Sequence, residues 1–512
     1  MNALYDAVII GSGFSGCILG QILARSGWRV AIVDRAKHPR FAIGESSTPT
    51  ADFLLAYLAD RWNMPELRPL AAWGTWKESY PHVTCGKKRG FTYFGHSTDQ
   101  SFADCPEHSR SLMVAASKTD YWSDTQWLRS DVDAFLAQQS VASGCELFEN
   151  VDIEDAKRAE TTWTLRIAHR TSGNDKQELK ARWLIDAGGA GDFSERWLGN
   201  RRDDTWMKTQ TGSVFGHFRD VDGFGMHCGY ESAMDPIADF HLDDSAQHHV
   251  TEDGWMWMLR FDSGVTNGVT SVGMVQPTDR WKFIQSLDEA TLIWNRWISK
   301  HPSIQQMMAN SQPVENGPSR LLWSNRLSRC RQRAVGDGWV QLPTAYGFVD
   351  PLHSTGIAHA LSGVLRIAEL LVGDSSVGDG SVDKCTSSRW VDYDRQLRSE
   401  IEWIDLLVGG CYRSLPSFAS FCAFASWYFI STIQFERVMA RDPSRWTDGY
   451  LSCENVLLRA RVEESYDQLL RQGEEANVES IRRGISAWND VGLLEPVRGQ
   501  RIPHTAPEKF EV

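Results

Sequence analysis

The chain has 512 residues, 42% hydrophobic and 23% charged, a balance that suits large buried cores and excludes a disordered or fibrous protein. A net charge of −13 excludes a general nucleic-acid binder, because nothing offsets repulsion from phosphates. Ten cysteines, at 17, 85, 105, 145, 228, 330, 385, 411, 422 and 453, form no CxxC pair and no Cys/His cluster of metal-ligand spacing, which points to free thiols in a reducing cytoplasm and to no metal site.

LYDAVII (4–10) is an apolar run of strand length, followed by GSGFSG and a helical stretch to Ser26-Gly27. RVAIVD, ending at Asp34, is a second strand, so the chain opens as a βαβ unit rather than a signal peptide. GFTYF and WTLRIAH read as strands, SDTQWLRSDVDAFLAQQSVASG as a helix, and ARWLIDAGG as a strand entering a Gly-rich turn. Residues 205–320 are rich in short strands and turns, GWMWMLRF (254–261) among them. GWVQLPTAYGFVDPLHSTG then leads into an apolar-periodic helix, IAHALSGVLRIAELLV. VGDSSVGDGSVDKCTSS reads as a linker or surface loop, and beyond it the pattern is helical to about residue 490. SLPSFASFCAFASWYFISTI is interrupted by serines and reads as a buried helix, so no membrane span is expected.

GSGFSG has the spacing GxGxxG, with Phe14 and Ser15 between its last two glycines. It follows a strand, opens a helix and has an acid about twenty residues on, the context that gives the motif meaning. Gly11 permits the tight turn, Gly13 lets the backbone approach a pyrophosphate, and Gly16 lets helix and strand pack closely. Amides at the helix start would face the phosphates, and Asp34 would accept from a ribose hydroxyl. NAD and FAD share this loop. DPLHSTGI (350–357) sits at the mouth of another helix, whose N-terminus suits the charge of a reduced flavin or a small anion beside it. Two such sites far apart in the chain suit a large, extended cofactor and favour FAD.

Four stretches carry a resemblance to the flavin-dependent halogenases, which share the flavoprotein monooxygenase fold. GSGFSG with Asp34 is generic to flavoproteins. HPRFAIGESSTP (38–49) resembles the halogenase segment that lines the flavin, and carries Arg40, Gly44, Glu45 and Ser46. GFVDPLHSTGI (347–357) resembles the isoalloxazine and chloride loop, which puts Asp350, Gly356 and Ile357 at the cofactor and Thr355 and Gly356 at the halide. GWMWMLRF resembles the signature WxWxIP. Within the family, CGKKRGF (85–91), HHVTEDGWMWMLRF (248–261) and the helical tail are similar to the phenol halogenases that act on phloroglucinol-type rings. Arg129, in WLRSDVD, matches a flavin-contacting arginine of the wider fold.

The resemblance implies an α/β, FAD-binding, flavoprotein monooxygenase-like (Rossmann-type) fold with a mixed substrate-domain sheet and a C-terminal helical region. It implies a halogenase core over 1–372, with the substrate-domain sheet interleaved, and a helical substrate-capping region over 389–512. In such enzymes FADH2 and dioxygen give a C4a-hydroperoxide, chloride or bromide attacks its distal oxygen, and hypohalous acid travels to a lysine beside the substrate. The CGxKxGF frame puts that lysine at Lys88, whose ammonium is a mobile point donor. An aromatic, phenolic small molecule is the implied substrate. No NADPH-binding motif is evident, so a separate flavin reductase is expected. A cytoplasmic protein with no nucleic-acid or membrane partner is expected, its oligomeric state open, a homodimer included. Two other readings stand beside this one: a flavin monooxygenase or oxidase on the same fold, and a flavin-binding protein without turnover.

Two departures are visible. His353 stands where tryptophan halogenases carry a glutamate before the serine of the STG loop, which fits a phenol that activates its own ring. Leu259-Arg260 replaces the Ile-Pro of the signature. On a strand, Trp255, Trp257, Leu259 and Phe261 share one face, and Met256, Met258 and Arg260 the other. The tryptophan face is expected to wall the passage between flavin and substrate.

Overall fold

The computed structural model describes residues 4–105, 107–171, 176–226, 234–235, 239–261, 268–314, 321–373, 388–472, 475–495 and 500–507. Most of the stretch expected to be a linker, 374–387, lies outside the described residues.

Leu4–Ile10 lies parallel between Val30–Val33 and Lys176–Asp186, and Glu146–Phe148 and Trp339–Gln341 extend the sheet in parallel on either side. These strands are unbroken apolar runs because both faces are covered. Ala7, Ile9, Val30 and Ile32 join a core shared with the helices Phe14–Arg25, Arg129–Ala142 and Thr355–Val372. The alternate residues Val8, Ile10, Ala31 and Val33 join Trp163 and Leu165 of the antiparallel hairpin Val151–Ala159/Thr162–His169. The carboxyl ends of the parallel strands are the crevice where ligands of such sheets bind.

A second sheet of nine strands runs in the order Gln312–Pro313, Thr211–Arg219, Thr270–Pro277, Gly254–Arg260, Ala246–Thr251, Gly90–Gly95, Ser111–Ala115 and Arg501–Ile502, with Leu322–Ser324 also on Thr211–Arg219. It is mixed: Ala246–Thr251 pairs in parallel with Gly90–Gly95, and Arg501–Ile502 with Ser111–Ala115. The last pairing lies beyond the helical stretch expected to about residue 490. After the helices Ser388–Arg413, Phe418–Arg441, Val456–Gln472 and Glu475–Ile485, the chain returns to this sheet as an edge strand.

One correction concerns SDTQW. Asp124–Trp127 is a strand, antiparallel to Cys85–Lys88, and the helix begins only at Arg129. Pairing with a distant segment overrides the helical reading. Thr355–Val372 and Phe418–Arg441 are long and apolar enough to cross a membrane, but their apolar windows are 72% and 83% buried inside the fold, as core helices are.

The Gly254–Arg260 strand separates two cores. Trp255, Trp257 and Leu259 belong to the large core that also holds Phe91 and Tyr93, whereas Met256 and Met258 pack with Phe94, Met113 and Met274 on the other face. Arg260, the departure from the signature, lies on the methionine face. Its guanidinium donates to the carbonyls of Val221 and Asp222 at 2.9 and 2.6 Å and pairs with Asp243 at 3.2 Å. It straps a neighbouring loop and leaves the tryptophan face untouched.

Candidate active site

Gly11 adopts φ of +105°, and a side chain on Gly16 would lie 2.3 Å from the Gly11 carbonyl oxygen, so only glycine lets the turn and helix meet. The following helix has no side-chain cap hydrogen bond at Gly13, although the Phe14 amide donates to Asp133 at 3.2 Å. Above Gly13 stand two guanidinium groups. A side chain there would meet Arg129 at 3.5 Å and Arg40 at 3.9 Å, and one on Gly44 would meet Arg129 at 3.5 Å. Arg129 is buried rather than a helix-surface cation. It makes a bidentate pair with Asp133 at 2.9 Å, donates to the carbonyls of Ile43 and Gly44 at 3.0 Å, and lies 4.7 Å over the Phe14 ring. Arg40 bridges Asp133 and Asp34. The structure thus brings Gly11–Gly16, Asp34, Arg40, Gly44 and Arg129 together. Ser15, buried beside Phe14, is part of the same turn.

Asp34 sits at the end of its strand as expected, but its carboxylate already accepts from the Ser12 amide and hydroxyl, the Ala36 amide and Arg40. Burial pushes its pKa up, yet Arg40 and these amides outweigh burial and hold it below the usual carboxylate range. Its first role is to brace the loop.

The 38–49 segment is held from behind by a strand that sequence reasoning passed over. Along Thr211–Arg219, alternate residues face one region. Thr211 donates to Asp350 at 2.7 Å, Phe215 packs against Phe41 and Trp257, and the His217 Nε2 lies 2.7 Å from Glu45 Oε1. Ser46 forms an isolated β-bridge with Gln126. Glu45 Oε2, Ser46 Oγ, Ser213 Oγ and both amide atoms of Gln126 are buried without a hydrogen-bond partner. Such a concentration is rare in a finished core, and a polar ring edge with its own donors and acceptors satisfies it. The residues present therefore fit FAD.

The 350–357 loop joins this region through Asp350. Its Oδ2 accepts from Thr211 and, at 2.9 Å, from Tyr412, while Oδ1 accepts from the Leu352 amide at 3.1 Å. Burial pushes its pKa up to about 7 against those donors. Ser354 takes a left-handed conformation (φ 54°) and makes no side-chain cap, so the amides of Thr355 and Gly356 open the Thr355–Val372 helix uncapped by it. Near a Cβ on Gly356 stands only the Phe348 ring, at 3.7 Å, whereas Ile357 points into the core.

Lys88 is fully buried at the end of Cys85–Lys88. Two glycines place it. A side chain on Gly86 would lie 1.8 Å from the Arg260 carbonyl oxygen and one on Gly90, which opens the next strand, would lie 2.0 Å from that of Val114, so the chain on either side of Lys88 runs against other backbone at close range. The Lys88 Nζ donates to the Ser47 carbonyl at 2.5 Å, stands 3.9 Å over the Phe91 ring, and faces Asp124 across the strand pair. A buried ammonium needs such partners, and a desolvated cation–π contact contributes about 2 kcal/mol. Ser47 lies within the 38–49 segment. Phe91 is one wall of a small cavity completed by Pro49, Tyr428, Phe429, Thr432 and Glu436 among others. Tyrosine and phenylalanine of the Phe418–Arg441 helix, rather than tryptophan, cap this cavity; Trp427 packs away, against Trp488 and Ser465.

An aromatic path joins the two ends. His353 stacks flat on Tyr428, centroids 4.3 Å apart, and Tyr428 meets Phe91 edge-on at 6.1 Å. His248 stacks on Tyr93 at 4.5 Å and lies 5.2 Å from Trp255, whose Nε1 donates to Tyr412 at 2.7 Å. Trp257 lies 6.0 Å from Trp255 and donates to Ser271. Burial, and then the charge of Lys88, pushes the His248 pKa down to about 3; burial, helped by His248, takes His353 well below its ordinary value. Both imidazoles are neutral at physiological pH, and His353 packs flat against the Tyr428 ring.

The family model of the tryptophan halogenases matches residues 129–412, more than half of the chain. The chain belongs to the flavin-dependent halogenases. The tetracycline 7-halogenase of Kitasatospora aureofaciens is 27% identical over 440 residues, covering 85% of this chain and 75% of its own. The monodechloroaminopyrrolnitrin halogenase PrnC of Pseudomonas fluorescens is 26% identical over 447 residues, covering 85% and 73%. The fold of this halogenase matches the crystal structure of the halogenase PltM in complex with phloroglucinol and FAD, with a TM-score of 0.81, 23% identity and coverage of 98% of this chain and 99% of that one.

Proposed function

We propose that this protein is an FADH2- and O2-dependent halogenase that makes hypohalous acid from chloride or bromide and halogenates a phenolic small molecule at Lys88. One observation carries the reading. Lys88 is buried between the carbonyl of Ser47, on the flavin-lining segment, and the face of Phe91, which walls the aromatic cavity. A hydroxylase on this fold needs no such lysine.

FAD in its reduced form, when bound, supplies the electrons with which dioxygen oxidises the halide. Gly11, Gly13 and Gly16 would hold its pyrophosphate, Arg129 and Arg40 its polar middle, and Gly44, Glu45, Ser46 and Asp350 its ring. The amides of Thr355 and Gly356 would hold the halide at the helix mouth. Trp255 and Trp257 exclude a ring-sized substrate from that mouth, and only the small hypohalous acid passes to Lys88. The Lys88 ammonium holds it by hydrogen bonding and directs its halogen at the ring in the cavity. PltM is described with phloroglucinol, a phenol, and the cavity here is lined by aromatic rings and hydroxyls. The reduced flavin comes from a separate reductase, and the buried free thiols suit a reducing cytoplasm.

The test supplies a flavin reductase, bromide or chloride, and a panel of phenols, indoles and pyrroles, with products read by mass spectrometry. Halogenated phenols are expected from the native protein. Lys88→Ala should lose them by about 10²–10⁴-fold, the scale of a positioned proton donor, while still binding FAD. Hydroxylated products without halogenated ones, or full activity in Lys88→Ala, would overturn the reading.

A further inference from the structure

We propose that Glu436 is the group that reads the substrate: it accepts a hydrogen bond from a hydroxyl on the substrate ring and so decides which ring carbon meets Lys88. The proposal rests on the halogenase reading above and names the chemical class of its substrate, a hydroxyarene with a free O–H.

Glu436 lies on the Phe418–Arg441 helix, just over two turns beyond Tyr428, and is 1% exposed. It is the acidic residue of a cavity wall that is otherwise aromatic, aliphatic or hydroxyl-bearing. The same cavity is bounded by Phe91, whose ring carries the Lys88 ammonium at 3.9 Å. The cavity thus has a carboxylate in its wall and a cation beyond its aromatic floor. The chemistry around Glu436 is already that of hydroxyls: Oε1 accepts from Thr50 at 2.7 Å and from Thr432 at 3.2 Å. A carboxylate offers about four acceptor positions, and hydroxyls are the donors this one is seen to take. Two nearby phenols feel its charge. Burial and then the charge of Glu436 push the Tyr428 pKa up, and Glu436 contributes to the same rise at Tyr450.

That sign matters for mechanism. A carboxylate beside a phenol keeps it neutral in the ground state, so the hydroxyl arrives as a donor. As the ring attacks the halogen, its oxygen gives up electron density and the O–H becomes far more acidic. A hydrogen bond to Glu436 then strengthens on the way to the transition state, which is the kind of contact that raises rate. The carbon–halogen bond forms as the O–X bond of hypohalous acid breaks. The Lys88 ammonium protonates the departing oxygen to give water. The ring C–H bond then breaks, its electrons restore aromaticity, and its proton returns to the Lys88 amine. Glu436 takes up the hydroxyl proton during attack and returns it afterwards, so ring plus hypohalous acid gives halogenated ring plus water.

The test compares a phenol with its O-methyl ether, in the native protein and in Glu436→Gln, with reductase, FAD, halide and oxygen supplied. The native protein should prefer the phenol in kcat/KM by about ten- to a hundred-fold, the range of a hydrogen bond to a charged acceptor. In Glu436→Gln, with flavin binding verified by fluorescence quenching, that preference should collapse towards unity and the ratio of regioisomers should change. A Gln variant that keeps the native preference and regioisomer ratio overturns the proposal. Should the variant not bind flavin, the native protein alone decides, since equal rates on phenol and ether also overturn it. Failure of the native protein to halogenate either ring sinks the halogenase reading itself, a different result from indifference to the hydroxyl.

Discussion

Lys88 and Asp350 are charged residues held away from water for opposite reasons. Lys88 keeps an acceptor carbonyl, an aromatic face and an acidic cross-strand neighbour, so its site is built for a cation. Asp350 has only neutral donors on its two oxygens, and burial wins, raising its pKa to about 7. Because the folded value lies above the unfolded one, Asp350 favours the folded state below about pH 4 and loses that contribution as pH rises through about 7. Thermal midpoints measured from pH 5 to 8 should therefore fall with pH more steeply in the native protein than in Asp350→Asn. Equal slopes would show that Asp350 stays ionised throughout.

At the scale of elements, the Cys85–Lys88 strand is a positioning device. Its approach to Arg260 leaves no room for a side chain at Gly86. Gly86→Ala should cost about 1–3 kcal/mol by overpacking and displace Lys88, lowering halogenated product more than flavin binding. The pairing of Cys85–Lys88 with Asp124–Trp127 was hidden because SDTQW runs straight into a helical pattern, and only the partner strand recruits it. On the Gly254–Arg260 strand the alternation was legible: the tryptophan face and the methionine face enter two different cores. Trp255 stands between His248 and Tyr412. Trp255→Ala should open the wall and increase hydrogen peroxide or hydroxylated product per NADH spent by the reductase; unchanged partitioning would remove Trp255 from the passage.

At the scale of the molecule, the helical tail is fastened to the Thr355–Val372 helix by a buried charge network. Glu400 pairs with Arg366 at 2.6 Å and with His359 at 2.9 Å, and accepts from the Tyr450 amide at 2.8 Å. Burial opposes ionisation of Glu400, but Arg366 and then His359 prevail and lower its pKa to about 2. A lowered carboxylate contributes stability above its unfolded pKa and loses it as pH falls through the folded value. The native protein should lose stability between about pH 4.5 and 2 through this group. Glu400→Gln strands Arg366 and should cost about 3–5 kcal/mol at neutral pH, read by denaturant unfolding. A loss within about 0.5 kcal/mol would mean that solvent reaches the pair.

What the sequence determined by itself was local. Periodicity marks which side of an element is apolar, so the βαβ opening, the two faces of GWMWMLRF and the helices after residue 388 were legible. The GxGxxG loop was legible because each glycine answers a contact within its own unit, as Gly16 does against Gly11. Lys88 had no such mark among three adjacent cations; only its resemblance to a family frame singled it out. Periodicity says nothing of which element covers an apolar face. Thr50 and Glu436 meet across 386 residues of chain, Lys88 and Ser47 across 41, and His217 and Glu45 across 172. Those pairings, and with them the cavity, the wall and the carboxylate in it, were decided by tertiary structure alone, because packing brings together side chains whose local patterns carry no record of one another.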